Sequence, residues 1–321
     1  MNSLEGKAWR ALAAAKGVGP QTLWLIADYL ASRKQTASWL LQNPDEIKTA
    51  LRGSKAGIAM ADMADQEYED EEKFDGRLVT VLHPLHPDFP QQVLNLKDLF
   101  PLPALLYVRG NVAILNRPGV AIVGQRQAGE AALAAADILA SGLVSRGVNI
   151  VSGYAAGIDS AAHLAALRAG GTTSIVLAEG IDHFQTKPEL KDHLTVDNIL
   201  VISQFEPGAR WAPYLAMTRN KLVCALSGAV VVIASGPERD ANGTMSGTFD
   251  AGMSALKMGI PVFVVSPDFL TDPPTGNRRL IAKGGHEWDP ATGSAPILAV
   301  ISEKKPLPRQ LDLFGKVTSD E

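Results

Sequence analysis

Between Val120 and Leu167 a β-branched apolar run twice stops at a glycine and gives way to an alanine-rich helical pattern. The first pass reads Val-Ala-Ile-Val-Gly-Gln-Arg (120–126), and the second reads Ile-Val-Ser-Gly-Tyr-Ala-Ala-Gly-Ile-Asp-Ser-Ala-Ala-His (150–163). Apolar runs without alternation are what strands buried on both faces require, and a helix after each strand makes the neighbouring strands parallel. In open α/β sheets ligands bind beyond the carboxyl ends of the strands. Gly124 and Gly153 permit close backbone approach at that edge, and the helix N-termini after them are expected to offer unpaired N–H groups to an anion. Side by side, the two turns predict a phosphate-binding ledge.

The same alternation continues through strands expected at Val148–Ser152, Thr173–Leu177, Leu200–Ser203, Ala229–Ala234 and Pro261–Val265. It predicts an α/β fold with a parallel sheet covered on both faces. Upstream, Trp9, Leu12 and Ala13 lie on one helical face that ends at Gly17-Val18-Gly19. Pro20 then suits the first position of a helix carrying Leu23, Ile26, Ala27 and Leu30. The Gly-Val-Gly turn has two readings, half of a phosphate-touching helix-hairpin-helix or a glycine turn between packed helices. An acidic run at 65–72 would repel nucleic acid, and a boundary is expected near Gly76. Strands are expected at Leu78–Leu82 and Leu105–Arg109, with a proline-rich loop between His83 and Pro90. The pattern fades after Lys283. Three segments result: a helical domain over 1–76, the α/β domain over 77–290, and a flexible tail over 291–321.

Of 321 residues 46% are hydrophobic, enough for a sizeable core, and the net charge of −4 argues against holding DNA by bulk charge. A polyanion site must then be a local basic patch. The single cysteine, Cys224, excludes disulfides within the chain and a cysteine-built zinc site. His83 and His86 lack partners that would complete a metal set, so neither metal nor cofactor is expected. No signal peptide or apolar run of membrane length is visible, which leads us to expect a cytoplasmic protein without membrane contact.

Gly124-Gln125-Arg126 lacks the Gly-x-Gly-x-x-Gly pattern of dinucleotide sites. Arg126, at a strand's carboxyl end, suits bidentate capture of a phosphate. Asp159 reads as a helix N-cap, and His163, four residues on, shares its helical face. Ser152 is the one nucleophile nearby, and the scaffold reading of this trio is preferred to a hydrolytic one. Arg219-Asn220-Lys221, with Arg210 and Trp211 upstream, combines charge with a stacking face, as single-stranded nucleic acid requires. A third glycine-rich loop, ending in Ser246-Gly247-Thr248, offers hydroxyls and amides to a phosphate.

Taken in order, Ala-Ile-Val-Gly-Gln-Arg (121–126), Ser-Gly-Tyr-Ala-Ala-Gly-Ile-Asp-Ser-Ala-Ala-His (152–163), Arg-Asn-Lys (219–221), Ser-Gly-Thr (246–248) and Gly-Asn-Arg-Arg-Leu-Ile-Ala-Lys-Gly-Gly (276–285) resemble the DNA-processing protein A family, also called DprA or Smf. The resemblance covers about residues 80 to 287. It implies an extended Rossmann-like fold and a dimeric, non-enzymatic protein that binds single-stranded DNA. It also implies hand-over of that strand to the recombinase RecA in natural transformation. By position Arg126 matches a DNA-contacting arginine, and Lys187 falls near a lysine of similar role. Departures are Phe184-Gln185 for Tyr-Pro, Ser203-Gln204 for Ser-Glu, an apolar residue near Ile233 for a glutamate, and a longer 235–245 segment. No C-terminal winged helix follows residue 290. These mark a divergent member. The DNA or phosphate site is therefore expected to comprise Gly124, Gln125, Arg126, Gly153, Lys187, Arg219, Asn220, Lys221, Ser246, Gly247 and Thr248. An alternative is a nucleotide-binding or nucleotide-hydrolysing protein of the wider Lonely Guy-like superfamily, whose glycine loop resembles Gly243 to Thr248. Separately, Gln310-Leu311-Asp312-Leu313-Phe314 resembles the pentapeptide by which bacterial proteins dock on the DNA polymerase sliding clamp.

Overall fold

A computed structural model describes residues 4–51, 79–239, 241–272 and 274–303. The boundary expected near Gly76, the acidic run and the clamp-like pentapeptide all lie outside these residues. The chain forms two compact units that divide between Tyr107 and Val108. The first begins with helices α1 (Leu4–Ala14), α2 (Pro20–Arg33), α3 (Ala37–Gln42) and α4 (Pro44–Ala50). Gly17 has φ +83°, which only glycine adopts without strain, and Pro20 opens α2 with Gly19 as its N-cap. The Glu5 carboxylate accepts from the amides of Ala37 at 2.8 Å and Ser38 at 3.0 Å, so it caps α3 from a different helix. Strand β1 (Thr80–Leu82) and helix α5 (Gln91–Leu96) complete this unit. Trp9, Leu12, Ile26, Leu30, Leu40 and Leu82 are fully buried, and His83 lies stacked on Trp9 with centroids 5.3 Å apart.

Strand β2 (Leu106–Gly110) straddles the division. The second unit then alternates as the sequence predicts: β3 (Gly119–Val123), α6 (Glu130–Val144), β4 (Asn149–Ser152), α7 (Ile158–Arg168), β5 (Thr173–Val176), α8 (Pro188–Lys191), β6 (Ile199–Ser203), α9 (Pro213–Ala225), β7 (Ala229–Val232), α10 (Gly247–Lys257) and β8 (Val262–Val265). Their order in the sheet is β6-β5-β4-β3-β7-β8, all parallel, with Val120 opposite Ala229 and Gly119 opposite Asn149. The Rossmann-like α/β architecture is thus present. Strands β3, β4, β7 and β8 are buried at every position. That explains their unalternating sequence. Small residues let α6 and α7 pack closely on one face, where Ala135, Ala136, Leu139, Ala162 and Ala166 join Val120, Ile122, Ile150 and Val231. Helices α9 and α10 pack together on the other face.

Three further elements follow β8, where the sequence pattern fades: α11 (Thr275–Ala282), β9 (His286–Trp288), parallel to β8, and α12 (Ala295–Glu303). Residues 295–303 of the segment expected as a tail are thus helical, and 304–321 lie outside the described residues. Ile297 is fully buried, and Leu298, Val300 and Ile301 pack on the same core as α6. Among the described residues no helix is long and apolar enough to cross a membrane.

Candidate functional site

Strand β4 follows β3 on one side of the sheet, whereas β7 lies on the other side of β3. The chain therefore leaves β3 and β7 in opposite directions, which opens a crevice at their carboxyl ends. A cleft of about 540 Å³ occupies that crevice. It brings together Gly124, Gln125, Arg126, Gly153, Arg219, Asn220, Ser246, Gly247 and Thr248 from the predicted set, and leaves out Lys187 and Lys221. It also includes Trp211, Pro213, Met217 and Met245. The two methionines carry no motif signal. Their position becomes visible only once α9 and the 239–245 excursion are folded, the latter closed by an antiparallel bridge between Arg239 and Met245.

The second glycine turn is not the open anion ledge that the sequence suggests. A Cβ at Gly157 (φ +75°) would lie 2.4 Å from the carbonyl oxygens of Gln125 and Arg126, so the two turns are pressed together through backbone. Ile158 N donates to Gln125 O at 3.3 Å, and Ala155 N donates to the Asp159 carboxylate at 3.2 Å. Gly157, not Asp159, is the N-cap of α7. Asp159 stands in the first turn and ties down the loop before it.

Beneath that loop lie two buried opposite charges. Arg219, on α9, is 5% exposed and Asp159 6%. The Arg219 guanidinium donates through Nη1 to Gly153 O and, at 2.5 Å, to Val176 O. A Cβ at Gly153 would collide with this guanidinium and with the Asp159 carboxylate. Burial raises the Asp159 pKa and lowers that of Arg219, and the charge of each partner opposes the shift of the other. Lys187 is likewise committed. Its ammonium donates to Tyr154 O at 3.0 Å and Ala155 O at 3.2 Å, and lies 4.4 Å from the Tyr154 ring centroid. Tyr154 itself holds a left-handed φ of +72° and accepts at its hydroxyl from Lys187 N at 2.8 Å. Two of the four predicted cations therefore build the loop that carries Gly153.

Ser152 donates to Ile122 O at 2.6 Å and His163 Nδ1 meets Thr173 Oγ1 at 2.6 Å. Both are fully buried, and burial pushes the His163 pKa down to about 3. The imidazole is therefore neutral at physiological pH and faces the sheet.

Arg126 differs from the buried cations. It is exposed, its guanidinium lies 5.9 Å from the Trp211 ring centroid, and no carboxylate among the described residues pairs with it. Opposite, Ser246 caps α10, accepting from Phe249 N at 3.3 Å. Of the first-turn residues, Gly247 and Thr248 line the cleft. Asn220 Nδ2 donates to Gly247 O at 3.0 Å and fixes this turn against α9. Lys221 is partly buried outside the cleft, where its charge opposes the burial-driven rise of the Asp250 pKa. On the far wall Gly276 approaches Gly236 so closely that a Cβ would lie 2.0 Å from its carbonyl oxygen. Asn277, fully buried, accepts from Ser235 N at 2.8 Å and donates to Ile233 O and Val265 O at 2.9 and 3.0 Å. The Gly-Asn pair latches the β7 turn to β8. Among the described residues no cluster of three or more His, Cys, Asp or Glu side chains could hold a metal ion.

A family model described as DNA recombination-mediator protein A matches residues 80–292. DNA processing protein DprA of Streptococcus pneumoniae is 33% identical over 192 residues, which is 59% of this chain and 65% of that protein. Among solved structures, DNA processing protein A from S. pneumoniae superposes with a TM-score of 0.71 at 25% identity, covering 93% of this chain and 98% of that one. DNA processing protein A from Helicobacter pylori, whose structure is described in terms of its single-stranded DNA binding mode, gives a TM-score of 0.56 at 25% identity, over 70% of this chain and 97% of that one. The sequence match thus spans just under two thirds of the S. pneumoniae relative's own length.

Proposed function

This chain belongs to the DNA recombination-mediator protein A family, and from that premise we propose that it binds single-stranded DNA at the β3/β7 cleft, in DNA processing and recombination. The observation that carries the reading is Arg126, an exposed guanidinium without a carboxylate partner at the mouth of a cleft floored by glycine turns. The amides of Gly247 and Thr248 supply uncharged donors opposite, and phosphate contacts of this kind position a strand without reading its sequence. The H. pylori relative supports the ligand class. Replacing Arg126 with alanine is expected to weaken binding of a single-stranded oligonucleotide. It should also flatten the log–log dependence of affinity on salt by about 0.7, the value for one lost contact on a single strand. Unchanged affinity and slope across a salt titration would remove Arg126 from the interface.

The reading extends to partners. We assign the recombinase RecA as recipient of the strand and a homodimer as the working form, both from family membership. The pentapeptide Gln310 to Phe314 supports docking on a sliding clamp, with Leu313 and Phe314 filling an apolar pocket. Deleting residues 309–315 should abolish clamp capture and leave DNA affinity intact.

A further inference from the structure

Met217 and Met245 line the cleft, and both are partly exposed. A thioether offers a polyanion neither charge nor a hydrogen-bond donor. It is also the one kind of side chain in this lining that a peroxide oxidises reversibly. Met217 holds the more consequential place of the two. It lies on α9 three residues before Asn220, so the two side chains share a helical face. That face meets the first turn of α10: a Cβ at Gly247 would lie 3.6 Å from Met217 Sδ and 3.7 Å from Asn220 Nδ2. Asn220 Nδ2 carries two hydrogens, and Gly247 O takes one of them at 3.0 Å. The sulfur therefore stands against the turn that Asn220 fixes, beside an amide with a second hydrogen to donate.

We propose, resting on the strand-binding reading above, that Met217 is an oxidation site through which a peroxide weakens strand binding. The sulfur attacks one peroxide oxygen, the O–O bond breaks and an S–O bond forms. The second oxygen leaves as hydroxide and takes the proton of the transferred hydroxyl, giving water. Sulfur is oxidised by two electrons and the peroxide is reduced. A weak acceptor thereby becomes a polar one. The new oxygen competes for the second Nδ2 hydrogen of Asn220 and stands at the Gly247 turn, the wall against which the reading sets a phosphate. The phosphate then faces an acceptor instead of a donor.

The test treats the full chain with hydrogen peroxide and reads binding of a labelled single-stranded oligonucleotide by fluorescence anisotropy before and after. Peptide mass spectrometry assigns the added oxygen to individual methionines. Loss of one hydrogen bond to a charged group predicts binding about 10- to 100-fold weaker. Methionine sulfoxide reductases with a thiol should restore the untreated affinity. For variants the readout is the ratio of treated to untreated affinity within each protein, so a change in basal binding does not enter. Met217→Leu, a swap of nearly constant volume, should hold that ratio near one. Met245→Leu should lose as much as the wild type, and so should Met253→Leu, which alters a partly buried methionine of α10 outside the cleft. Three results overturn the proposal and leave strand binding standing: oxygen on Met217 with unchanged affinity, a Met217 that peroxide leaves intact, or an equal loss in Met217→Leu. If the untreated chain binds no strand, the strand-binding reading falls and the oxidation switch falls with it.

Discussion

Arg219→Leu separates a cation that touches ligand from one that builds the site. In the wild type the Arg219 guanidinium satisfies two backbone carbonyls, Gly153 O and Val176 O, and faces the Asp159 carboxylate in the interior. Leucine fills part of the volume but leaves a buried carboxylate unpaired and two carbonyls without that donor. Removing one of two buried opposite charges that compensate each other costs about 3–5 kcal/mol. For a unit of this size each kcal/mol lowers the melting temperature by about 2–4 °C, so a fall of roughly 6–20 °C is expected. The loss carries a pH signature. Burial already raises the Asp159 pKa, and without Arg219 it rises further. A carboxyl whose folded pKa lies above its unfolded value stabilises the fold less as pH increases between the two. Arg219→Leu should therefore be less damaging at pH 5 than at pH 7, and adding Asp159→Asn should recover part of the loss at pH 7. Urea unfolding of the wild type, Arg219→Leu, Asp159→Asn and the double variant at both pH values provides the readout. A loss below about 1 kcal/mol, or one of the same size at both pH values, would refute the assignment of Arg219 to the scaffold. Arg126→Ala, made at an exposed side chain, is expected to stay within about 0.5 kcal/mol of wild type.

Burial lowers the His83 pKa to about 4, so stability should fall as pH drops from 6.5 toward 4 while the unfolded chain takes up the proton. The span of the shift sets a ceiling of about 3 kcal/mol. His83→Phe, which keeps a ring against Trp9, should flatten that fall when unfolding is followed by near-ultraviolet circular dichroism, and an unchanged pH profile would exclude His83 as its source. Asn277→Ala leaves Ser235 N, Ile233 O and Val265 O without their side-chain partner and should cost about 3 kcal/mol. Asn277→Asp, which turns a carboxylate toward two carbonyl oxygens, should be at least as harmful in denaturant unfolding, and a loss below about 1 kcal/mol for both would dismiss the latch.

The sheet was legible because strands buried on both faces need apolar runs, and Val120–Val123, Ile150–Val151 and Ala229–Val232 supply them without alternation. The end of the fold was not. β9 is three residues long and has one buried side chain, Trp288, too short to establish a period. Helix α12 is Ala-Pro-Ile-Leu-Ala-Val-Ile-Ser-Glu, whose apolar stripe stands alone after the Pro290–Thr292 turn and so resembles the start of a tail. In the site, composition identified which loops meet but not which groups they leave available. Gly157 marks the difference. In sequence it is one more glycine of a phosphate-type loop, whereas in the fold its missing side chain is where the backbone of Gln125 and Arg126 passes.

That distinction bears on how a chain with a net charge of −4 can hold a polyanion. Of the four cations the motifs supply, Arg219 is sealed under Gly153 and Lys187 is bound to the carbonyls of Tyr154 and Ala155. Lys221 lies outside the cleft, which leaves Arg126 as the one predicted cation exposed at its mouth. One charge provides a modest, salt-sensitive share of affinity, because exposed electrostatic contacts are screened within about 10 Å at ordinary ionic strength. The remainder must come from terms that salt does not screen. On the proposed strand-binding reading, amides of the turn fixed by Asn220 and Ser246 would supply such a term. The buried cations matter by a different route: they tie down the loop that carries Gly153.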